Sequence, residues 1–107
     1  VEKLEINVFQ LKELIDQKQN IQLVDVREHE EVQICHLPGY IHIPLGELSQ
    51  RFQELDPSSF TVVYCRSGMR SFQAVQMLLH NQFEKVKNLH GGIIAWSAEI
   101  DPTLQSY

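Results

Sequence analysis

Cysteine is scarce in this chain. Only Cys35 and Cys65 occur among 107 residues, far from the dense, even-numbered framework that staples small secreted domains, so a reducing, cytoplasmic setting is expected. No apolar run approaches the roughly eighteen residues that a membrane-spanning helix needs. Positive charge is in the minority, 9 Lys and Arg against 14 Asp and Glu for a net charge of −5. That balance repels phosphate backbones and anionic lipid and argues against a nucleic-acid or membrane partner. Any anion site must therefore be local. A basic-then-apolar signal pattern is missing at Val1, as is an initiator methionine, and the expectation is a processed chain or a piece cut from something longer. Internal repeats, low-complexity tracts and dividing linkers are also lacking. With 43% apolar and 21% charged residues, the chain is expected to form one globular domain over residues 1–107.

What is present is an alternation of two periodicities. Asn7 and Gln10 are spaced as an N-cap and its N3 partner, and Val8, Leu11, Leu14 and Ile15 follow at helical spacing, predicting a first helix over about residues 8–18. Ile21-Gln22-Leu23-Val24-Asp25-Val26 reads as a strand covered on both faces. Glu28-His29-Glu30-Glu31-Val32 predicts a short acidic helix, Leu37-Pro38-Gly39 a turn, and Tyr40-Ile41-His42-Ile43 a small strand closed by Pro44. Residues 45–55 have the amphipathic pattern of one helix. Phe60-Thr61-Val62-Val63-Tyr64 is the most strand-like segment, followed by a helical pattern at Phe72, Ala74, Val75, Leu78 and Leu79, then a small strand near Val86-Lys87-Asn88-Leu89 and a glycine pair before Ile93-Ile94-Ala95-Trp96. Strands alternating with helices predict an α/β domain with a mainly parallel central sheet flanked by helices, in which ligands bind beyond the carboxyl ends of the strands.

Cys65 stands at such an end. It opens the loop Cys65-Arg66-Ser67-Gly68-Met69-Arg70-Ser71, which leads into a predicted helix. A loop wrapping into a helix N-terminus aims successive N–H groups at one spot and adds the positive end of the helix dipole. A thiol there is favoured as thiolate, and Arg66 and Arg70 would push in the same direction. Gly68 permits positive φ, and the arginines supply forked donors for an oxyanion such as a sulfonate or phosphate. An inert buried cysteine beside two surface arginines is the bland alternative.

These residues resemble the active-site loop of the rhodanese family. Leu23-Val24-Asp25-Val26-Arg27-Glu28, Leu37-Pro38-Gly39-Tyr40-Ile41-His42-Ile43-Pro44 and Leu89-His90-Gly91-Gly92-Ile93-Ile94-Ala95-Trp96 resemble further motifs of that family, in its order and across nearly the whole chain. The resemblance implies a rhodanese-like three-layer domain. It also implies a sulfurtransferase in which the Cys65 thiolate takes sulfane sulfur from a donor such as thiosulfate or a protein persulfide. The resulting persulfide would be held by N–H groups of the loop from Arg66 to Ser71, without a cofactor. Ile34-Cys35-His36-Leu37, Ile43-Pro44-Leu45-Gly46-Glu47-Leu48 and the tail from Ala95 to Tyr107 are similar to the C-terminal rhodanese domain of ThiF/MoeB-type adenylyltransferase fusions. That similarity implies a cysteine desulfurase or a ubiquitin-like sulfur carrier as partner.

Asp25 and Arg27 flank Val26 and share a strand face. The expectation is that Asp25 orients Arg70 while Arg27 pairs with a carboxylate such as Glu31. Cys35 is a resolving thiol only if it approaches Cys65, and its neighbourhood offers no evident positive charge. His29, His36, His42, His80 and His90 lack metal-ligand spacing, so no metal is expected. His90 is read as a surface or capping residue beside the glycine pair, and Trp96 and Phe72 as core residues. Two rival functions remain. A cysteine phosphatase or arsenate reductase would carry its loop arginine where Ser71 stands, one residue beyond Arg70. A non-catalytic interaction module commonly lacks the cysteine altogether.

Overall fold

A computed structural model describes residues 4–105 and 107. Five parallel strands form one sheet in the order β1-β5-β4-β2-β3, with β1 at Glu5–Ile6, β2 at Ile21–Asp25, β3 at Ile41–His42, β4 at Phe60–Tyr64 and β5 at Val86–Leu89. Helices α1 (Val8–Asp16), α2 (His29–Ile34), α3 (Leu48–Arg51), α4 (Met69–His80) and α5 (Gly92–Glu99) connect and cover them.

Strand alternation divides the core in two. Val24, Val63 and Cys65 point to the face packed by Leu48 of α3 and by Ala74, Val75 and Leu78 of α4. Leu23, Val62, Tyr64 and Leu89 point the other way, against Val8 and Leu11 of α1 and Ile93 and Trp96 of α5. Successive strand residues face opposite sides, so neighbours Tyr64 and Cys65 belong to different cores. The result is the expected three-layer α/β arrangement.

Local chemistry accounts for most element ends. At α1 the expected reciprocal cap forms: Gln10 N–H donates to Asn7 Oδ1 at 2.8 Å and Asn7 N–H to Gln10 Oε1 at 2.9 Å. This helix closes at Asp16, short of residue 18, because Lys18 turns to φ 58° and Gln19 N–H reaches back to the Leu14 carbonyl. Glu28 caps α2, its own N–H donating to Glu31 Oε1 at 2.9 Å.

Two expectations need correction. Residues 45–55 do not make one helix: a 3₁₀ turn at Leu45–Glu47, the single α-helical turn α3, and a second 3₁₀ turn at Phe52–Glu54 follow one another. Backbone angles at Glu47 (φ −104°, ψ −6°) and Arg51 (φ −126°, ψ 3°) break the helix, and the tighter turns keep Leu45, Leu48, Phe52 and Leu55 all against one core. Strand β1 was not anticipated, since two residues are too few to show a period.

Candidate active site

Cys65 follows β4 directly, at the carboxyl edge of the sheet, and is 1% exposed. The chain then turns sharply into α4, whose N-cap is Gly68 at φ 114°. That angle lies in the left-handed region that residues with a Cβ avoid. The turn brings three donors onto the sulfur: Gly68 N–H at 3.1 Å, Ser71 N–H at 3.4 Å and the Ser71 hydroxyl at 3.3 Å. Ser71 lies in the first turn of α4, where free N–H groups and the positive end of the helix dipole meet.

The glycine pair Gly91-Gly92 holds this loop from behind. Ile93 N–H and Ile94 N–H, at the start of α5, donate to the carbonyls of Cys65 and Arg66 at 2.9 and 3.1 Å. With those carbonyls turned outward to α5, the loop N–H groups are left facing Sγ. So close an approach requires Gly92, where a Cβ would lie 2.4 Å from the Arg66 oxygen and 2.7 Å from that of Cys65.

Burial pushes the Cys65 thiol pKa up. The Ser71 hydroxyl, then the N–H groups of Ser71, Gly68 and Ser67, push it down by more, so the sulfur titrates below the ordinary cysteine range. The leading influences that lower it are thus hydrogen bonds of the loop, and the expected arginine charge acts in the same direction through Arg70 as a smaller contribution. Arg70 is committed elsewhere: its Nη1 and Nη2 donate to the two carboxylate oxygens of Glu31 at 2.7 and 2.9 Å. Arg70 holds the Glu31 carboxyl below its usual range. Arg66 is exposed and lies 5.4 Å from the centre of the Tyr107 ring.

The expected ion pairs exchange partners. Asp25 does not orient Arg70, and Arg27 does not pair with the Glu31 carboxylate. Asp25 and Arg27, both fully buried, bind each other: Arg27 Nη2 donates to Oδ2 at 2.7 Å, Nε to Oδ1 at 3.0 Å, and the Arg27 N–H to Oδ1 at 2.9 Å. Sharing a strand face put these two side chains within reach of one another, while Glu31 on α2 faces α4 and meets Arg70. Arg27 also donates to the Cys35 carbonyl at 2.6 Å and stands 5.7 Å from the Tyr64 ring centre.

Cys35 belongs to the core on the face opposite Cys65, so the two thiols are separated by the sheet and both are free. Contrary to expectation, positive charge is close to Cys35, with Arg27 Nη1 at 3.9 Å from Sγ. His90 is exposed and approaches Glu5 at 3.3 Å, Trp96 is core, and Phe72 is half-buried at the wall of a groove. Among the described residues no His, Cys, Asp or Glu side chains are grouped to hold a metal ion, and no helix is long and apolar enough to cross a membrane.

Sequence reading missed Asn88 and Glu5. Asn88 is 3% exposed; its Nδ2 donates to Glu5 Oε2 at 2.9 Å and to the Gly68 carbonyl at 3.1 Å, and its Oδ1 accepts from the Ser71 hydroxyl. The available signal was an amide alternating with Val86 on an apolar strand. For Glu5 there was none. Beside this network lies a groove of about 880 Å³ lined by Ile6, Gln10, Gly68, Met69, Phe72 and others; Met69 stands 78% exposed at its rim.

A family model described as "Rhodanese-like domain" matches residues 8–99. A putative sulfurtransferase of Bacillus subtilis, YtwF, is 39% identical over 98 residues, covering 92% of this chain and 94% of its own. An adenylyltransferase and sulfurtransferase of Arabidopsis thaliana, MOCS3, is 33% identical over 120 residues, covering 95% of this chain and 25% of its own. This chain also spans only 52% of another Bacillus subtilis relative. Among solved structures, a rhodanese-related protein of Thermoplasma volcanium superposes with a TM-score of 0.82 at 30% identity, over 90% of this chain and 92% of that one.

Proposed function

Because the chain belongs to the rhodanese-like domain family, whose named members include sulfurtransferases, we propose that it moves sulfane sulfur through a persulfide on Cys65. The carrying observation is the convergence of Gly68 N–H, Ser71 N–H and the Ser71 hydroxyl on Sγ. These donors favour the thiolate, which is the attacking form. With thiosulfate as donor, the Cys65 thiolate attacks the outer sulfur, the S–S bond breaks, and sulfite leaves with the bonding pair. A Cys65 persulfide anion remains. An acceptor nucleophile then attacks its terminal sulfur, forms a bond to it, and returns the electron pair of the broken S–S bond to Cys65 as thiolate. The loop N–H groups between Arg66 and Ser71, with Ser67, Gly68 and Met69 at its outer turn, are the donors for the terminal sulfur once the charge has moved outward.

Arg66 is the exposed loop cation near the site and the group suited to steer a small dianion such as thiosulfate, since Arg70 is held by Glu31. A cysteine persulfide presented by a desulfurase would reach the same sulfur. On the likeness to adenylyltransferase fusions, a second acceptor is the adenylylated C-terminus of a ubiquitin-like sulfur carrier. The persulfide's outer sulfur attacks the activated carbonyl and the adenylate leaves. A thiol then attacks the sulfur of Cys65 in the acyl disulfide, releasing the thiocarboxylate and becoming a mixed disulfide with Cys65. Asp25 and Arg27 serve this scheme as a buried strut at the end of β2.

Incubation with thiosulfate followed by intact mass measurement tests the proposal. One added sulfur atom is expected, absent in Cys65→Ser and removed by cyanide as thiocyanate. A folded sample that gains no sulfur from thiosulfate or from a persulfide-loaded desulfurase would overturn it and leave the non-catalytic interaction module as the better reading.

A further inference from the structure

The Ser71 hydroxyl has one hydrogen and two claimants. It lies 3.3 Å from Cys65 Sγ and also donates to Asn88 Oδ1, and it is fully buried, closed to bulk solvent. The Asn88 amide cannot turn over to relieve the competition. Its nitrogen faces two groups that only accept, the Glu5 carboxylate at 2.9 Å and the Gly68 carbonyl at 3.1 Å, so its oxygen is held toward Ser71.

We propose that Asn88 is a positioning residue: it draws the Ser71 hydrogen away from Cys65 while the sulfur is neutral or bonded to a second sulfur, and yields it when Sγ carries charge. With a thiol, the S–H donates to Ser71 Oγ and the hydroxyl donates to Asn88. With a thiolate, the hydroxyl rotates and donates to Sγ, leaving Asn88 Oδ1 unpaired. In the persulfide the charge has moved to the outer sulfur, and the hydroxyl returns to Asn88. No bond other than hydrogen bonds changes. Asn88 thereby sets the ease with which the nucleophile forms and the ease with which it is regenerated. This assignment rests on the sulfur-transfer reading for its purpose, though not for its test.

The charged and titratable groups around the sulfur are Glu5 of β1 with His90 at its other oxygen, Arg70 of α4 held by Glu31 of α2, and Arg66 in the loop. None takes the Ser71 hydrogen directly, so Asn88 is the group whose removal frees it.

The test is titration of the Cys65 thiolate by ultraviolet absorbance, as the difference from the same protein carrying Cys65→Ala. Asn88→Ala is expected to shift the titration to lower pH, raising the thiolate fraction below the midpoint about 2- to 10-fold, the factor that one exchanged hydrogen bond represents. Asn88→Asp, which keeps an acceptor at Ser71 and strengthens it, is expected to shift the titration to higher pH. The new carboxylate also repels the thiolate directly, so the part of the Asn88→Asp shift that the assignment predicts is the part that disappears in a Ser71→Ala background. Where Asn88→Asp fails to fold because two carboxylates meet, the pair Glu5→Gln with Asn88→Asp restores a donor between them. In a Ser71→Ala background the Asn88→Ala shift is expected to vanish. Shifts of the same sign in the two variants, or an Asn88→Ala shift that persists without the Ser71 hydroxyl, would overturn the assignment. Because the titration reads the thiolate itself, a chain that passes it and takes up no sulfur overturns only the sulfurtransferase reading.

Discussion

Replacing Arg27 by Met should cost this domain about 3–5 kcal/mol, the usual penalty for leaving one member of a buried ion pair alone. The geometry shows why the upper part of that range applies. The variant strips Asp25, which is fully buried, of the donors at 2.7 and 3.0 Å and leaves its carboxylate the backbone N–H of residue 27 at 2.9 Å and the Tyr64 hydroxyl. It also removes the 2.6 Å donor to the Cys35 carbonyl. Asp25→Leu should cost a similar amount, since the guanidinium then keeps two carbonyls and the Tyr64 ring but loses its counter-charge. Joining Asp25→Leu with Arg27→Met removes both charges, and the residual cost is that of the orphaned Cys35 carbonyl and the orphaned N–H of residue 27, about 1–3 kcal/mol each. The double variant therefore costs clearly less than the sum of the two single ones. Urea unfolding at neutral pH measures all three, and unchanged slopes with denaturant would tie the differences to the native state. Single substitutions costing under about 1 kcal/mol, or a double variant costing the sum of the two, would refute the reasoning. The folded fraction of each variant should keep the Cys65 titration of the parent, because neither Asp25 nor Arg27 contacts the loop.

Other expectations follow from the same geometry. Cys65 should titrate below the free-cysteine value of about 8.5, so sulfur uptake declines only as pH falls through that depressed pKa; a thiol titrating at or above the free value would contradict the hydrogen bonds to Sγ. Glu31, held low by Arg70, contributes stability that is present above its unfolded pKa of about 4.3 and lost as pH falls through its lower folded value. Since Arg70 is about a third exposed, Glu31→Gln should cost only about 1 kcal/mol at neutral pH, and acid unfolding curves of the two proteins should converge at low pH. Gly92→Ala places a methyl 2.4 Å from the Arg66 oxygen at φ 62° and should destabilise by at least about 1–3 kcal/mol; it should also slow sulfur uptake per folded molecule, because the loop can no longer lean on α5. An unaffected Gly92→Ala protein would mean that the approach of α5 to the loop is dispensable.

Several features were legible in the residues alone because they depend on nearest neighbours. The cap of α1 requires only Asn7 and Gln10 at fixed spacing, and the cysteine loop requires only a strand, Gly68 and a helix start in sequence. The pattern fails where several short turns share one apolar spacing, as at residues 45–55. It also fails where an element is only two residues long, as at β1.

Charge pairing was not legible. Arg27 and Arg70 each had acidic groups within plausible reach, and only the direction in which Asp25 leaves its strand and the face that α2 turns toward α4 decide that Arg27 takes Asp25 and Arg70 takes Glu31. The same holds for Asn88 and Glu5, which lie 83 positions apart and meet because β1 pairs beside β5. The sequence by itself determined the alternation of elements, the place of Cys65 at a strand end and the glycines that shape its loop, since these depend on local backbone preference and periodicity. Only the tertiary structure decided which groups surround the sulfur, because hydrogen bonds between strands distant in the chain depend on sheet order and on the side each residue faces.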